Sequence, residues 1–222
     1  MTKIYMVRHC EAMGNVQRLF QGKTDLDISE LGAIQLKFLS NRFKELELHK
    51  IYSSPLLRAK KTAEAIKGNK SLSIELCDGL AELDGGVLDG KPFKESFLSI
   101  PGLLDIWDNH PQDFAPENGE AMKDAYERIW NAVISIAREN KDKTIACASH
   151  GGVIRCLNCR ILSDDITQLK NIEWSENTAV TLIEFDDNYK PTIVFRNDVS
   201  HLPSEYLNAK TRLGSFMVGD KK

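Results

Sequence analysis

Long apolar runs, an excess of one charge and a disulfide-like cysteine pattern are all missing from this sequence. No apolar run approaches the roughly 20 residues that span a bilayer, so the sequence predicts no transmembrane helix and no membrane partner. The 29 basic and 32 acidic side chains give a net charge of −3, which argues against nucleic acid as a partner. The five cysteines are an odd number scattered along the chain, which is not typical of a disulfide framework.

The composition that remains is that of a folded protein. Hydrophobic residues occupy 42% of the 222 positions, which excludes global disorder and suffices for one sizeable α/β domain. The apolar stretch after Lys3 covers only residues 4–7, which is too short for a secretory signal. We therefore expect a cytoplasmic protein whose residues 1–222 form a single domain, with a loosely ordered tail after Leu213.

Strand and helix patterns alternate along the chain. We predict strands over residues 4–7, 51–53, 71–77 and 144–148, followed by a hairpin of 179–185 and 192–195. Helices are predicted over 30–46 with Ser29 as N-cap, over 55–67 with Ser54 as N-cap, over 119–137 with Asn118 as N-cap, and from 151 through 159. This alternation predicts a three-layer αβα fold with a mostly parallel central sheet.

Residues 85–117 interrupt the alternation with glycines and prolines. We expect a lid-like excursion with one or two short helices there, because long irregular segments in compact domains are usually functional or mobile. Its apolar side chains, among them Phe93, Phe97, Trp107 and Phe114, fit two interpretations. They form either an apolar wall for an organic part of the substrate or the lid's own core, and both remain open.

Three of the predicted strands end in residues that carry chemistry. Arg8 and His9 follow the first strand, Arg58 follows the second, and His150 follows residues 144–148. In such sheets ligands bind beyond the carboxyl ends of the strands. A lone histidine is more often structural than catalytic, but two at equivalent strand ends beside arginines favour a site. Arg58 opposes the dipole of its helix unless an anion is bound there, so the residues favour an anion site.

Seven segments, taken together and in order, resemble the histidine phosphatase superfamily, also called the phosphoglycerate mutase-like family. Residues 7–15 (Val-Arg-His-Cys-Glu-Ala-x-x-Asn) are similar to that family's Arg-His-Gly-Glu-Thr-x-x-Asn signature. The other matching segments are 20–32, 53–63 with the second arginine, 80–90 with an acidic residue, 118–121, 149–152 (Ser-His-Gly-Gly) and 197–202. Each segment is weak alone, but the ordered set covers almost the whole chain and favours the family's phosphatase branch.

The resemblance implies a role for each matched residue. His9 is expected to be the nucleophile that forms a phosphohistidine, and Glu82 to protonate the leaving oxygen and then activate water. The resemblance also implies phosphate-binding residues, namely Arg8, Asn15, Gln21, Gly22, Arg58, His150 and Gly151. A phosphomonoester carries about −1.5 to −2 charges near neutral pH, which two arginines and a histidine can balance. The implied enzyme is a metal-independent phosphatase with no cofactor and a small phosphorylated substrate. Whether it forms a homodimer stays an open question.

Four positions depart from the family pattern. Cys10 replaces a glycine and Ala12 a threonine, while Gly85 and Leu88 replace larger aromatic residues, which reshapes the wall near the leaving group. We hypothesise that the Cys10 thiol makes activity sensitive to oxidation; the alternative is an inert buried cysteine.

Several other functions fit parts of the sequence. A phosphoglycerate mutase is one, although the chain has no Arg-Arg pair for the substrate carboxylate. Another is a binding protein without catalysis, although binding alone requires neither His9 nor Glu82. Cys156 and Cys159 invite a zinc or redox interpretation, but no second pair is present and two core-facing helical cysteines are favoured.

Overall fold

A six-stranded sheet organises the fold of this protein, whose computed structural model describes residues 1–207. The strands are β1 (Thr2–Arg8), β2 (Lys50–Ser53), β3 (Ile74–Leu76), β4 (Thr144–Ser149), β5 (Val180–Phe185) and β6 (Pro191–Asp198). They lie in the order β3-β2-β4-β1-β5-β6. The pairs β1–β4, β2–β4 and β2–β3 are parallel, and β5 is antiparallel to both of its neighbours. The sheet is therefore mostly parallel, and the predicted hairpin of β5 and β6 is confirmed.

Helices cover both faces of the sheet, which confirms the three-layer αβα fold. They are α1 (Met13–Val16), α2 (Glu30–Phe43), α3 (Leu57–Lys67), α4 (Phe93–Ser99), α5 (Leu103–Asn109), α6 (Met122–Glu139) and α7 (Gly151–Ser163). On one face α2 and α3 pack against alternate residues such as Val7 and Ala148. On the other face α6 and α7 pack against the intervening residues, such as Met6 and Cys147. The period-2 alternation of side chains in a strand thus separates the two cores.

Two predicted helix starts are wrong. Helix α3 begins at Leu57 rather than at residue 55, so Ser54 and Pro55 belong to the loop before it. Helix α6 begins at Met122 with Ala121 as N-cap, because Asn118 adopts a left-handed conformation with φ of 56° in the preceding turn. By contrast, the Ser29 hydroxyl accepts the Gly32 N–H and caps α2 as predicted.

Residues 85–117 contain the two short helices α4 and α5 between irregular segments. Phe93, Phe97, Trp107 and Phe114 pack on one another and on Phe20, with ring centroids 4.1–6.4 Å apart. This segment therefore has a core of its own. Within residues 1–207 no helix is long and apolar enough to cross a bilayer. The tail after Leu213 lies outside the described residues.

Candidate active site

The carboxyl ends of β1, β2 and β4 bring the predicted site residues to one edge of the sheet. Arg8 is the last residue of β1 and lies in register with Ser149, the last residue of β4. His9 and His150 therefore follow neighbouring parallel strands, and their ring centroids are 5.2 Å apart. Arg58 reaches the same place from the first turn of α3. The parallel register thus unites three segments that are far apart in the sequence.

The backbone fixes the ring orientation of His9. Its Nδ1 lies 2.6 Å from the carbonyl oxygen of Cys10, which accepts only, so Nδ1 carries the proton. Nε2 is then left with its lone pair. Burial and the nearby guanidinium groups of Arg58 and Arg8 hold the pKa of His9 well below its usual value. His9 is therefore a neutral imidazole with a free nucleophilic nitrogen.

Arg58 is fully buried and holds the loop that follows Phe20. Its Nη1 donates to the Thr24 carbonyl at 2.9 Å, and its Nη2 donates to those of Gln21 and Gly22, both at 3.1 Å. Three neutral carbonyls accept from its Nη atoms without cancelling its charge, while its buried Nε has no acceptor among residues 1–207. The Arg58 charge is thus left to act on an anion, and on His9, at this edge.

His150 is held by Ser54 across the β2–β4 pair. Its Nε2 lies 2.7 Å from the Ser54 hydroxyl, which also accepts the Leu56 N–H at 3.3 Å. The hydroxyl proton of Ser54 is therefore free to be donated to Nε2. In that arrangement Nδ1 of His150 carries a proton, and it has no acceptor among residues 1–207. His150 thus offers one donor without adding a charge.

Glu82 lies on the other side of the site, against the N-terminus of α7. Its carboxyl oxygens accept the N–H groups of Gly152 and Leu83, each at 3.1 Å. A side chain at position 152 would meet Glu82 Oε1 at 2.5 Å, so glycine is required for this approach. Burial raises the pKa of Glu82 although Arg58 and Arg8 act in the opposite direction. The carboxyl therefore keeps its proton to a higher pH than an exposed glutamate does, which suits a general acid.

A small cavity lies at this edge of the sheet, and Arg58 and His150 lie outside its lining; we call it the phosphate cavity. Its lining includes six of the predicted residues, namely Arg8, His9, Asn15, Gln21, Glu82 and Gly151. Among the described residues, the buried Nε atoms of Arg8 and Arg58 have no hydrogen-bond acceptor. Buried donors left without acceptors in a native fold call for an explanation. A phosphoryl group in this cavity would supply acceptor oxygens for Arg8, which lines it.

Gly22, like Arg58 and His150, does not line the phosphate cavity. Its N–H donates to Asp89 Oδ1 at 3.1 Å, and a side chain there would meet the Leu83 carbonyl oxygen at 2.3 Å. Glycine is needed at this position for packing against the acidic segment. Asp89 also accepts the N–H groups of Lys23 and Thr24, so it holds the N–H groups of the loop whose carbonyls Arg58 binds.

Cys10 faces α2 and α3 rather than the phosphate cavity. Its N–H donates to the Thr62 hydroxyl at 3.1 Å, and the residue has no exposed surface. Burial raises the pKa of the Cys10 thiol to about 12, so it is not a thiolate at neutral pH. These observations favour the inert buried cysteine over the oxidation hypothesis. Cys156 and Cys159 are likewise buried in the core, which favours their structural interpretation.

The substitution of glycine at position 85 has a clear consequence. A side chain at Gly85 would meet the Phe20 ring at 2.5 Å, so glycine makes room for that ring. Phe20 and Trp107 also line a second cavity beside Glu82. The aromatic cluster is therefore the lid's own core, and one part of it also lines the site.

Sequence reasoning missed Arg18, Trp174 and Arg155. Arg18 and Trp174 line the phosphate cavity, and Arg155 lines the second cavity with Trp174. Arg18 and Trp174 lie in loops without a motif. The signal for Arg155 was visible, because it is a cation within an otherwise apolar stretch of α7. Among residues 1–207 no group of three His, Cys, Asp or Glu side chains is arranged to hold a metal ion.

Comparison with known proteins agrees with this geometry. The family model of the histidine phosphatase superfamily (branch 1) matches residues 4–199. Phosphoserine phosphatase 1 of Hydrogenobacter thermophilus is 28% identical over 212 residues, which are 94% of this chain and 98% of that protein. The metal-independent phosphoserine phosphatase of Arabidopsis thaliana is 32% identical over 207 residues, with 91% and 84% covered. The solved structure of Bacillus stearothermophilus YhfR has a TM-score of 0.86 and 31% identity, with 90% of this chain and 99% of that one covered.

The fold and the family match define the class of protein. The chain belongs to the histidine phosphatase superfamily. This membership, together with the phosphatases among its relatives, shows that the chain is a phosphoric monoester hydrolase.

Proposed function

We propose that the protein is a metal-independent phosphatase that hydrolyses a small phosphomonoester through a phosphohistidine at His9. The observation that carries this proposal is the bond from His9 Nδ1 to the Cys10 carbonyl. It leaves Nε2 unprotonated in a cavity that also contains a buried arginine and a carboxyl with a raised pKa. Phosphoserine is our first candidate substrate, because two of the relatives named above are phosphoserine phosphatases.

The first step transfers the phosphoryl group to the protein. The Nε2 lone pair of His9 forms the N–P bond, and the ester P–O bond breaks. The leaving oxygen takes the proton of the Glu82 carboxyl. Arg8, Arg58 and the Nδ1–H of His150 stabilise the negative charge on the phosphoryl oxygens, while Asn15 and Gln21 contribute uncharged groups.

The second step releases phosphate. The Glu82 carboxylate formed in the first step removes a proton from water, whose oxygen attacks phosphorus as the N–P bond breaks. Glu82 regains its proton and His9 its lone pair, so the cycle closes without a change in either residue. In both steps, protein side chains balance the negative charge of the phosphoryl group.

The test is hydrolysis of p-nitrophenyl phosphate in excess EDTA by the wild type and by His9→Ala. We expect turnover to survive chelation and to fall by several orders of magnitude in His9→Ala. His110→Ala is the matched control, because it removes an exposed histidine outside the site. Loss of wild-type turnover on chelation would contradict metal independence. Equal activity of His9→Ala and His110→Ala would contradict the assignment of the nucleophile.

A further inference from the structure

Arg155 is a buried cation beside the proposed site that the mechanism above does not use. It lies on α7, and only 7% of its surface is exposed. Its Nε donates to the Ile172 carbonyl at 2.9 Å, and its guanidinium carbon lies 4.8 Å from the centre of the Trp174 ring. Within residues 1–207 its two Nη atoms have no hydrogen-bond acceptor and no ion-pair partner. Most of its donor capacity is therefore unused.

An anion would complete this arrangement. A buried charge without a counter-charge loses its hydration, and burial accordingly lowers the pKa of Arg155. The acidic residue whose charge acts on it is Asp108, which is exposed on α5 and lies beyond ion-pair distance. A carboxylate bound to both Nη atoms would supply the missing charge and two acceptors in the geometry that a guanidinium prefers.

Arg155 lines a second cavity, which we call the Arg155 cavity. This cavity shares wall residues with the phosphate cavity. Both are lined by Gln21, Glu82 and Trp174. Arg155 lies four residues after Gly151, which lines the phosphate cavity, so the two share a face of α7 about 6 Å apart along its axis. Glu82 lines both cavities, so a ligand that extends from His9 to Arg155 lies against Glu82.

We propose that Arg155 binds a carboxylate of the substrate, so that the substrate class is a small phosphorylated hydroxy acid or hydroxy amino acid. This inference rests on the proposed function and adds the group that the site recognises beyond the phosphate. The rise of about 6 Å from Gly151 to Arg155 along α7 suits a carboxylate a few bonds from the ester oxygen. Apolar side chains such as Phe20, Leu83 and Met122 line the remainder of the Arg155 cavity and suit a short carbon skeleton.

The test compares substrates with and without the carboxylate. One pair is O-phosphoserine and O-phosphoethanolamine; the other is 3-phosphoglycerate and glycerol 3-phosphate. For at least one pair, we expect the wild type to prefer the carboxylated compound by about 10- to 100-fold in kcat/KM, the range for hydrogen bonds to charged groups. Arg155→Met should abolish this preference mainly through KM, because the contact exists equally in the bound and transition states. Arg155→Lys should restore it in part.

Arg160→Met is the matched control, because it removes another arginine of α7 that pairs with Glu127 and Asp164 outside both cavities. It should keep the wild-type preference. A wild-type kcat/KM ratio near one within both pairs would overturn the inference. A ratio in Arg155→Met that equals the wild-type preference would overturn it as well.

Failure of the proposed function has a different signature. In that case the wild type would hydrolyse neither p-nitrophenyl phosphate nor any of the four compounds. Binding to His9→Ala, measured by calorimetry, then decides the role of Arg155 without turnover. The inference predicts tighter binding of O-phosphoserine or 3-phosphoglycerate than of the partner compound, and loss of the difference in the His9→Ala, Arg155→Met protein. Equal affinities within both pairs would refute it.

Discussion

Replacement of Glu82 by glutamine should separate the two chemical steps of the proposed mechanism. Glutamine has the same shape but no acidic proton and no basic carboxylate. The two oxygens of Glu82 accept the N–H groups of Gly152 and Leu83, whereas an amide offers one acceptor and one donor. One hydrogen bond is therefore lost, at a cost of about 1–3 kcal/mol in the free energy of unfolding.

The catalytic effect should depend on the leaving group. An alkyl phosphate such as phosphoserine requires protonation of the leaving oxygen, so we expect its kcat to fall by about 10²- to 10⁴-fold, the usual contribution of a general acid or base. That loss corresponds to about 3–5 kcal/mol of barrier. Nitrophenolate is a weak base and departs without a proton, so the first step with p-nitrophenyl phosphate should remain fast. The second step still lacks its base and becomes limiting.

Stopped-flow absorbance with p-nitrophenyl phosphate measures this difference. Glu82→Gln should release a rapid burst of nitrophenolate of one equivalent per site, followed by slow turnover. Glu117→Gln, which changes an exposed glutamate outside the site, should behave as the wild type. A Glu82→Gln protein with full activity on both substrates, or one with equal losses on both and no burst, would refute the role of Glu82 as acid and base.

Three further predictions concern positioning, pH and the lid. Asp89→Asn should reduce kcat/KM by about tenfold. The Asp89 carboxylate accepts three N–H groups of the loop, and hydrogen bonds to a charged acceptor are worth about 1.5–3 kcal/mol each. Unchanged kinetics would show that the loop keeps its position without the Asp89 charge. Activity should fall as the pH drops through the lowered pKa of His9, because the nucleophile is then protonated. It should also fall as the pH rises through the raised pKa of Glu82, because the general acid is then deprotonated. A pH–rate profile with the opposite limbs would contradict these roles. Gly86→Ala should lower Tm more than Gly102→Ala: both have positive φ, but the methyl group at 86 would meet the Glu117 carbonyl oxygen at 2.1 Å, whereas nothing lies within 4 Å of the one at 102. Equal Tm shifts would show that the contact relaxes without cost.

Periodicity predicted the fold well where burial determines the structure. The apolar residues of α6 that recur at helical spacing (Met122, Ala125, Tyr126, Ile129, Val133, Ile136 and Ala137) are all buried. The helix starts at Ser54 and Asn118 were wrong because turn conformations decide them. Asn118 is held in a left-handed turn next to Gly119, where a side chain would meet the Gly86 backbone nitrogen at 2.8 Å, and this tertiary proximity has no local signal.

The motifs predicted which residues meet at the sheet edge better than what each one does there. His9, Arg58 and His150 follow strands that are adjacent only through the parallel pairing with β4. The function of Gly22 could not be predicted, because it depends on Asp89, which is 67 residues away in the sequence. The sequence did not predict a role for Arg155, because an arginine in a helix usually reaches solvent. Only the tertiary fold buries the Arg155 side chain.

The central claim is that His9 carries the phosphoryl group. Rapid acid-free quenching of wild type with ³²P-labelled substrate, followed by peptide mapping, tests it most directly. We predict one label per site on the peptide that contains His9, labile in acid and stable in base, and none in His9→Ala. Label on another residue, or turnover by a wild-type protein that never carries label, would contradict the account.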